Sequence, residues 1–87
     1  MLQLKNFMEE AVQDMILDVL EGLDCCKCEK CILDIKAIAL NNLPPKYVVT
    51  EKGLIFKKVD ALIQQFEVDI ISAIAKATVI VRKYPRH

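Results

Sequence analysis

All four cysteines of this chain fall within seven consecutive residues, Cys25-Cys26-Lys27-Cys28-Glu29-Lys30-Cys31. No other feature constrains the fold as tightly, because sulfurs this close in sequence must be gathered at one point. Where thiols stay reduced, such a cluster points to a metal rather than to disulfides. Zinc takes four ligands in a tetrahedron and accepts thiolates readily, so the expected cofactor is a structural Zn2+ ion. The Cys28-x-x-Cys31 spacing lets two sulfurs converge from the first turn of a helix, and Cys26 reaches the same point from the preceding turn. A helix N-terminus favours thiolate through its free amides and dipole, and Lys27 and Lys30 add positive charge nearby. The fourth ligand stays open. Cys25 is the economical candidate, although adjacent side chains diverge and its use demands a tight turn; His87, a water or a residue of a second copy are the alternatives.

The chain has 87 residues, which is read as one domain over residues 1–87. Chains of this size bury only about 60% of the surface they expose when unfolded, so a metal or a partner is a common supplement. Hydrophobic residues make up 54% and the mean hydropathy is +0.29, more apolar side chain than so small a monomer covers. A homodimer is therefore expected. Twelve basic and twelve acidic residues cancel, which argues against direct binding of nucleic acid. Their distribution is uneven, with one lysine against six acids in residues 1–24 and seven lysines against three acids in residues 25–58. That asymmetry reads first as a solvated face and second as a means of orienting a partner. Lys5, Glu9 and Glu10 interrupt the N-terminal apolar residues before a secretory core forms. No run approaches the roughly 18 apolar residues of a membrane span, so no membrane partner is expected and the expected location is the cytoplasm.

Leu4, Phe7, Met8, Val12, Met15, Ile16, Val19, Leu20 and Leu23 recur at spacings of three and four, which predicts an amphipathic helix over residues 4–23. Gly22 and Asp24 end it. A second helix is predicted over residues 30–41, facing inward with Ile32, Ile35, Ile38 and Ala39, and stopped by Asn41-Asn42 and Pro44-Pro45. Tyr47 to Thr50 reads as extended, with Thr50 as an N-cap. From residue 51 to 84 the pattern is helical again, through Leu54, Ile55, Val59, Leu62, Ile63, Phe66, Ile70, Ile71, Ile74, Ala77, Thr78 and Val81. At 1.5 Å per residue that helix would be roughly 45–50 Å long, so it either breaks near Gly53 or packs on another chain. The predicted class is all-α: three main helices, the last one long, with a cysteine-rich zinc turn between the first two, in a homodimer.

No enzymatic constellation is visible. Ser72 is the only serine and falls mid-helix, Gly22 and Gly53 are the only glycines, and His87 is the only histidine. A thiol redox role for Cys28-x-x-Cys31 lacks the βαβ setting that such chemistry normally uses. The stretch Asn41-Asn42-Leu43-Pro44-Pro45-Lys46-Tyr47 reads chiefly as a helix stop and a stiff connector. A sharper reading gives Tyr47 a stacking face, Lys46 a phosphate partner and Asn41 a base-edge hydrogen bond, so that a dimer would hold a symmetric anionic ligand. Lys57, Lys58, Arg82 and Arg86 read as solvated.

The run from Asp24 to Thr50 resembles the late competence development protein ComFB family. The likeness is carried by the C-x-C-x-x-C cluster, the helix with Asp34, Ala37 and Leu40, the Asn-x-Leu-Pro-Pro stop and Tyr47-Val48. The flanks agree: Lys5-Asn6-Phe7-Met8-Glu9-Glu10, Gln65-Phe66 and Pro85-Arg86-His87. The resemblance implies a helical, dimeric fold with zinc at the cysteines and a role linked to bacterial competence or signalling. It also implies a receptor for a cyclic dinucleotide such as c-di-GMP or c-di-AMP as the alternative, since some relatives without the cysteines bind such ligands. Three cysteines match the family pattern; Cys25 is additional.

Overall fold

The protein is described from a computed structural model covering residues 2–51 and 55–84, with side chains described for residues 2–49 and 63–84. Asn6 marks the first boundary. Its backbone is extended (φ −81°, ψ 108°), and its side chain accepts the Met8 amide at 3.2 Å, which caps helix α1 (Phe7–Glu21). Capping fixes the start of the helix because the first amides have no partner within it. The residues ahead of the cap therefore leave the helical register predicted for them and form strand β1 (Leu2–Asn6). Leu4 belongs to this strand and is 70% exposed, so its place in the helical pattern is corrected.

β1 pairs antiparallel with β2 (Tyr47–Glu51), in a register that sets Leu4 against Val49 and Asn6 against Tyr47. Thr50 stays in this ladder opposite Gln3 and does not cap the following helix, α3 (Ile55–Lys83). The fold is thus three helices with a small two-stranded ribbon rather than helices alone. Helix α2 (Glu29–Asn41) keeps close to its predicted span. It ends as the Asn42 side chain donates to the Ile38 carbonyl at 2.9 Å, two residues before Pro44. The predicted break near Gly53, and the side chains of Leu54, Ile55, Lys57, Lys58, Val59, Leu62 and Arg86, lie outside the described residues.

The apolar periodicity converts directly into the core. Phe7, Met8, Ala11, Val12, Ile16 and Leu20 come from α1, Cys31, Ile35 and Ala39 from α2, and Ile70, Ile74, Ala77 and Val81 from α3. Each large side chain fully buried here contributes on the order of 1.5–3 kcal/mol. The buried Thr78 hydroxyl donates to the Ile74 carbonyl at 2.8 Å, so its burial leaves no unpaired donor. Twenty-nine residues of helix span about 43 Å, which matches the 41 Å long axis of the protein. The length of α3 is accommodated by elongation; Val68 and Val79 project from it and Tyr84 follows it, each more than half exposed. Among the described residues no helix is long and apolar enough to cross a membrane.

A candidate metal centre between α1 and α2

The chain leaves α1 at Gly22, whose amide turns back to the Val19 carbonyl at 3.3 Å, and re-enters helix at Cys28. Cys28 is the N-cap of α2 (φ −71°, ψ 162°), and its carbonyl accepts the Ile32 amide at 2.9 Å. Cys31 lies in the first turn of α2 and faces the core at 2% exposure, whereas Cys26 and Cys28 are exposed. The three sulfurs, of Cys26, Cys28 and Cys31, all lie within 4.8 Å of one another. Zinc–sulfur bonds of 2.3 Å in a tetrahedron place sulfurs about 3.8 Å apart, so a contraction of at most about 1 Å closes this trio on an ion. The donor set and its spread fit a metal.

The acid–base properties of the trio follow from its position. The Cys31 backbone amide holds the Cys28 thiol below its ordinary range, helped by the Cys26 side chain. This is the expected action of a helix N-terminus on a capping thiol. Burial pushes Cys31 in the other direction, up to about 12, and the neighbouring Cys28 and Cys26 side chains add to it. Cys28 is therefore the readier thiolate and Cys31 the more reluctant one. Metal binding by such a set releases protons.

Cys25 stands apart. Its side chain is half-buried and packs against the hydrophobic core, and it is not a member of the trio. The divergence of neighbouring side chains, Cys25 inward and Cys26 outward, is the physical reason. His87 lies outside the described residues. Next to the trio is a cavity of about 310 Å³ with Asp24, Cys25, Cys26, Cys31, Thr78 and Arg82 on its walls. Nothing in the sequence links the end of α3 to the cysteines; only packing brings Thr78 and Arg82 there.

The residues of the sharper ligand reading stand on different elements. Asn41 is exposed at the end of α2 and Tyr47 is 65% exposed at the start of β2. Lys46 lies in the connector, its ammonium 5.3 Å from the centre of the Phe66 ring, its amide bonded to the Asn6 side chain at 3.0 Å. Its carbonyl accepts the Phe7 amide. The lysine thus ties the connector to both α1 and α3, a role that spacing alone did not suggest.

The model of the family described as late competence development protein ComFB matches residues 5–85. Among solved structures, the late competence protein ComFB from Bacillus subtilis is similar at a TM-score of 0.75 and 25% identity, over 95% of this chain and 92% of that one. No curated protein matches.

Proposed function

This chain belongs to the late competence development protein ComFB family, and from that premise we propose that it is a small, zinc-stabilised homodimer that regulates or bridges other proteins in bacterial competence or signalling and catalyses no reaction. The observation that carries the metal part is the convergence of Cys26, Cys28 and Cys31 within 4.8 Å. Zinc bound there supplies a redox-inert tetrahedral cross-link. Cys28 offers the first thiolate, Cys31 anchors the ion to the core, and Cys26 draws the connecting turn onto α2. The homodimer is supported by Val68 and Val79 left outward on α3 and by Tyr84 just beyond it, apolar surface that a second copy would cover. The reduced thiols suit the cytoplasm.

Elemental analysis of protein purified under reducing conditions, combined with light scattering, tests this reading. One zinc per chain and twice the chain mass are expected. Zinc-free protein would remove the metal role, and a monomer mass would remove the dimer.

A second reading, a cyclic-dinucleotide receptor, is favoured by one observation: the Tyr47 ring is 65% exposed beside Lys46, a stacking face next to a cation. Duplication across a dimer would present two such faces, with Asn41 supplying a polar edge. Calorimetric titration with c-di-GMP and c-di-AMP decides it, since the absence of heat at concentrations well above the expected affinity would eliminate the receptor reading.

A further inference from the structure

Resting on the homodimer reading above, we infer that two copies join through the outward side of α3, laid antiparallel about a two-fold axis that passes between Ala73 and Ile74. Helix α3 carries two apolar faces. The first, with Ile70, Ile74, Ala77 and Val81, belongs to the core. The second lies on the far side: at about 100° per residue, Val68, Ser72, Ala75 and Val79 fall within an arc of about 60° roughly opposite the first. Val68 is 79% exposed and Val79 55%, while Ser72 and Ala75 are half-buried. The spacing of this stripe, four then three then four, reads the same from either end. Such a stripe matches its own reverse. Antiparallel copies set Val68 against Val79 and Ser72 against Ala75, and the small residues at the centre let the two helices approach closely. Along one edge the stripe opens into a groove of about 440 Å³, walled by Met15, Val19 and Leu23 of α1 and by Ile71 and Ala75 of α3. In the antiparallel register Ile71 of the other copy falls beside Ala75, at the mouth of that groove.

Charge selects a second copy as the occupant and fixes its direction. Glu67 and Arg82 border the stripe on one flank, Asp69 and Lys76 on the other, and all four are exposed. With the axis between Ala73 and Ile74, Glu67 of one copy lies within about 3 Å, measured along the helix, of Arg82 of the other, and Asp69 stands likewise to Lys76. Both flanks then join acid to base, twice over by symmetry. A parallel pair would set Glu67 on Glu67 and Arg82 on Arg82. Among the described residues none of these four side chains has an ion pair within its own chain. Glu67 and Arg82 are about 22 Å apart along one helix, so they can meet only between copies.

That separation makes a charge exchange the test. Sedimentation equilibrium of the full chain over a range of concentrations gives the dimer dissociation constant. Glu67→Arg and Arg82→Glu, both at exposed positions, should each weaken the dimer by about tenfold, since each turns two attractions into repulsions. The double variant restores opposite charges and should return to within about threefold of the parent. Val79→Glu, which buries a carboxylate against Val68, should weaken the dimer by more than either single exchange. Leu4→Glu, on the exposed face of the ribbon, should leave it unchanged.

A double variant as weak as the two single losses combined would overturn the antiparallel pairing. A dimer indifferent to Val79→Glu but broken by Leu4→Glu would move the contact to the ribbon and overturn the inference while the homodimer stands. A parent that stays monomeric at every concentration would instead remove the homodimer reading, and the inference with it.

Discussion

One side-chain oxygen holds together two segments that are 40 residues apart. Asn6 accepts the Met8 amide at 3.2 Å and the Lys46 amide at 3.0 Å, so it caps α1 and fastens the connector before β2. Asn6→Ala removes both bonds. Loss of an N-cap costs about 1 kcal/mol. The second bond involves the exposed residue Lys46, whose amide can turn to water, so its loss falls near the low end, about 0.5 kcal/mol. The sum, about 1.5 kcal/mol, corresponds to a fall in Tm of roughly 6–12 °C for a domain of this size. Asn6→Asp keeps an acceptor for both bonds. Its charge gains from the helix N-terminus but faces Glu9 and Glu10 in the first turn, so the expected change is within about 0.5 kcal/mol of the parent. Asn6→Ser caps the helix yet falls short of Lys46, and it should lie between the two. The assay is urea unfolding at one fixed chain concentration, since any self-association makes the midpoint depend on concentration. An alanine variant within about 0.3 kcal/mol of the parent, or an aspartate variant as weak as the alanine one, would refute the double-anchor argument.

Chelation of zinc should lower the melting temperature, and Cys28→Ser and Cys31→Ser should abolish stoichiometric zinc while Cys25→Ser retains it, as read by elemental analysis. Metal-free protein should respond to alkali. The Cys31 thiol ionises near 9.0 when unfolded and near 12 when folded, so its contribution is intact below pH 9 and is lost as pH rises through that window. A urea midpoint that rises between about pH 9 and about pH 11 would contradict this. The lowered Cys28 acts in the opposite sense and on the acid side, adding stability as pH rises toward 9.0. Ile74→Ala, at a fully buried position of α3, should cost about 3 kcal/mol in equilibrium unfolding; a loss below about 1 kcal/mol would mean the site is not packed as described.

How much of this was legible in the sequence depends on how far apart the partners are. Helix α2 was readable almost to the residue, because Asn41-Asn42 and Pro44-Pro45 stop it through local backbone restrictions. The buried faces of α1 and of the described part of α3 were readable for the same reason, since a repeat of three and four is a local signal, although Ile71 fits the repeat and is exposed. The start of α1 was not. Leu4 fits the helical repeat with Phe7 and Met8, and it equally fits the alternation Leu2-Gln3-Leu4-Lys5. The strand wins because its partner, more than 40 residues downstream, completes the ladder. Asn6 with Glu9 three residues later was the overlooked local clue, a pattern that commonly opens a helix. At the candidate metal centre the convergence of the trio was readable from spacing, and the placement of Cys25 was not, because two adjacent side chains diverge in a direction that only the packed core decides. Arg82 and Thr78 reach the cavity through tertiary packing and carried no sequence signal.

Cys31 fills volume in the interior while Cys26 and Cys28 fill none. Loss of the proposed metal by a descendant would therefore be an asymmetric process. Positions 26 and 28 can drift to any hydrophilic residue at little structural cost, since water already surrounds them. Position 31 can change only to something greasy and of similar bulk, such as valine or alanine, or the gap beside Ile35 must be refilled from α3. In a descendant without the proposed ion, a lone aliphatic residue at the third cysteine position would be the trace of the lost ligand.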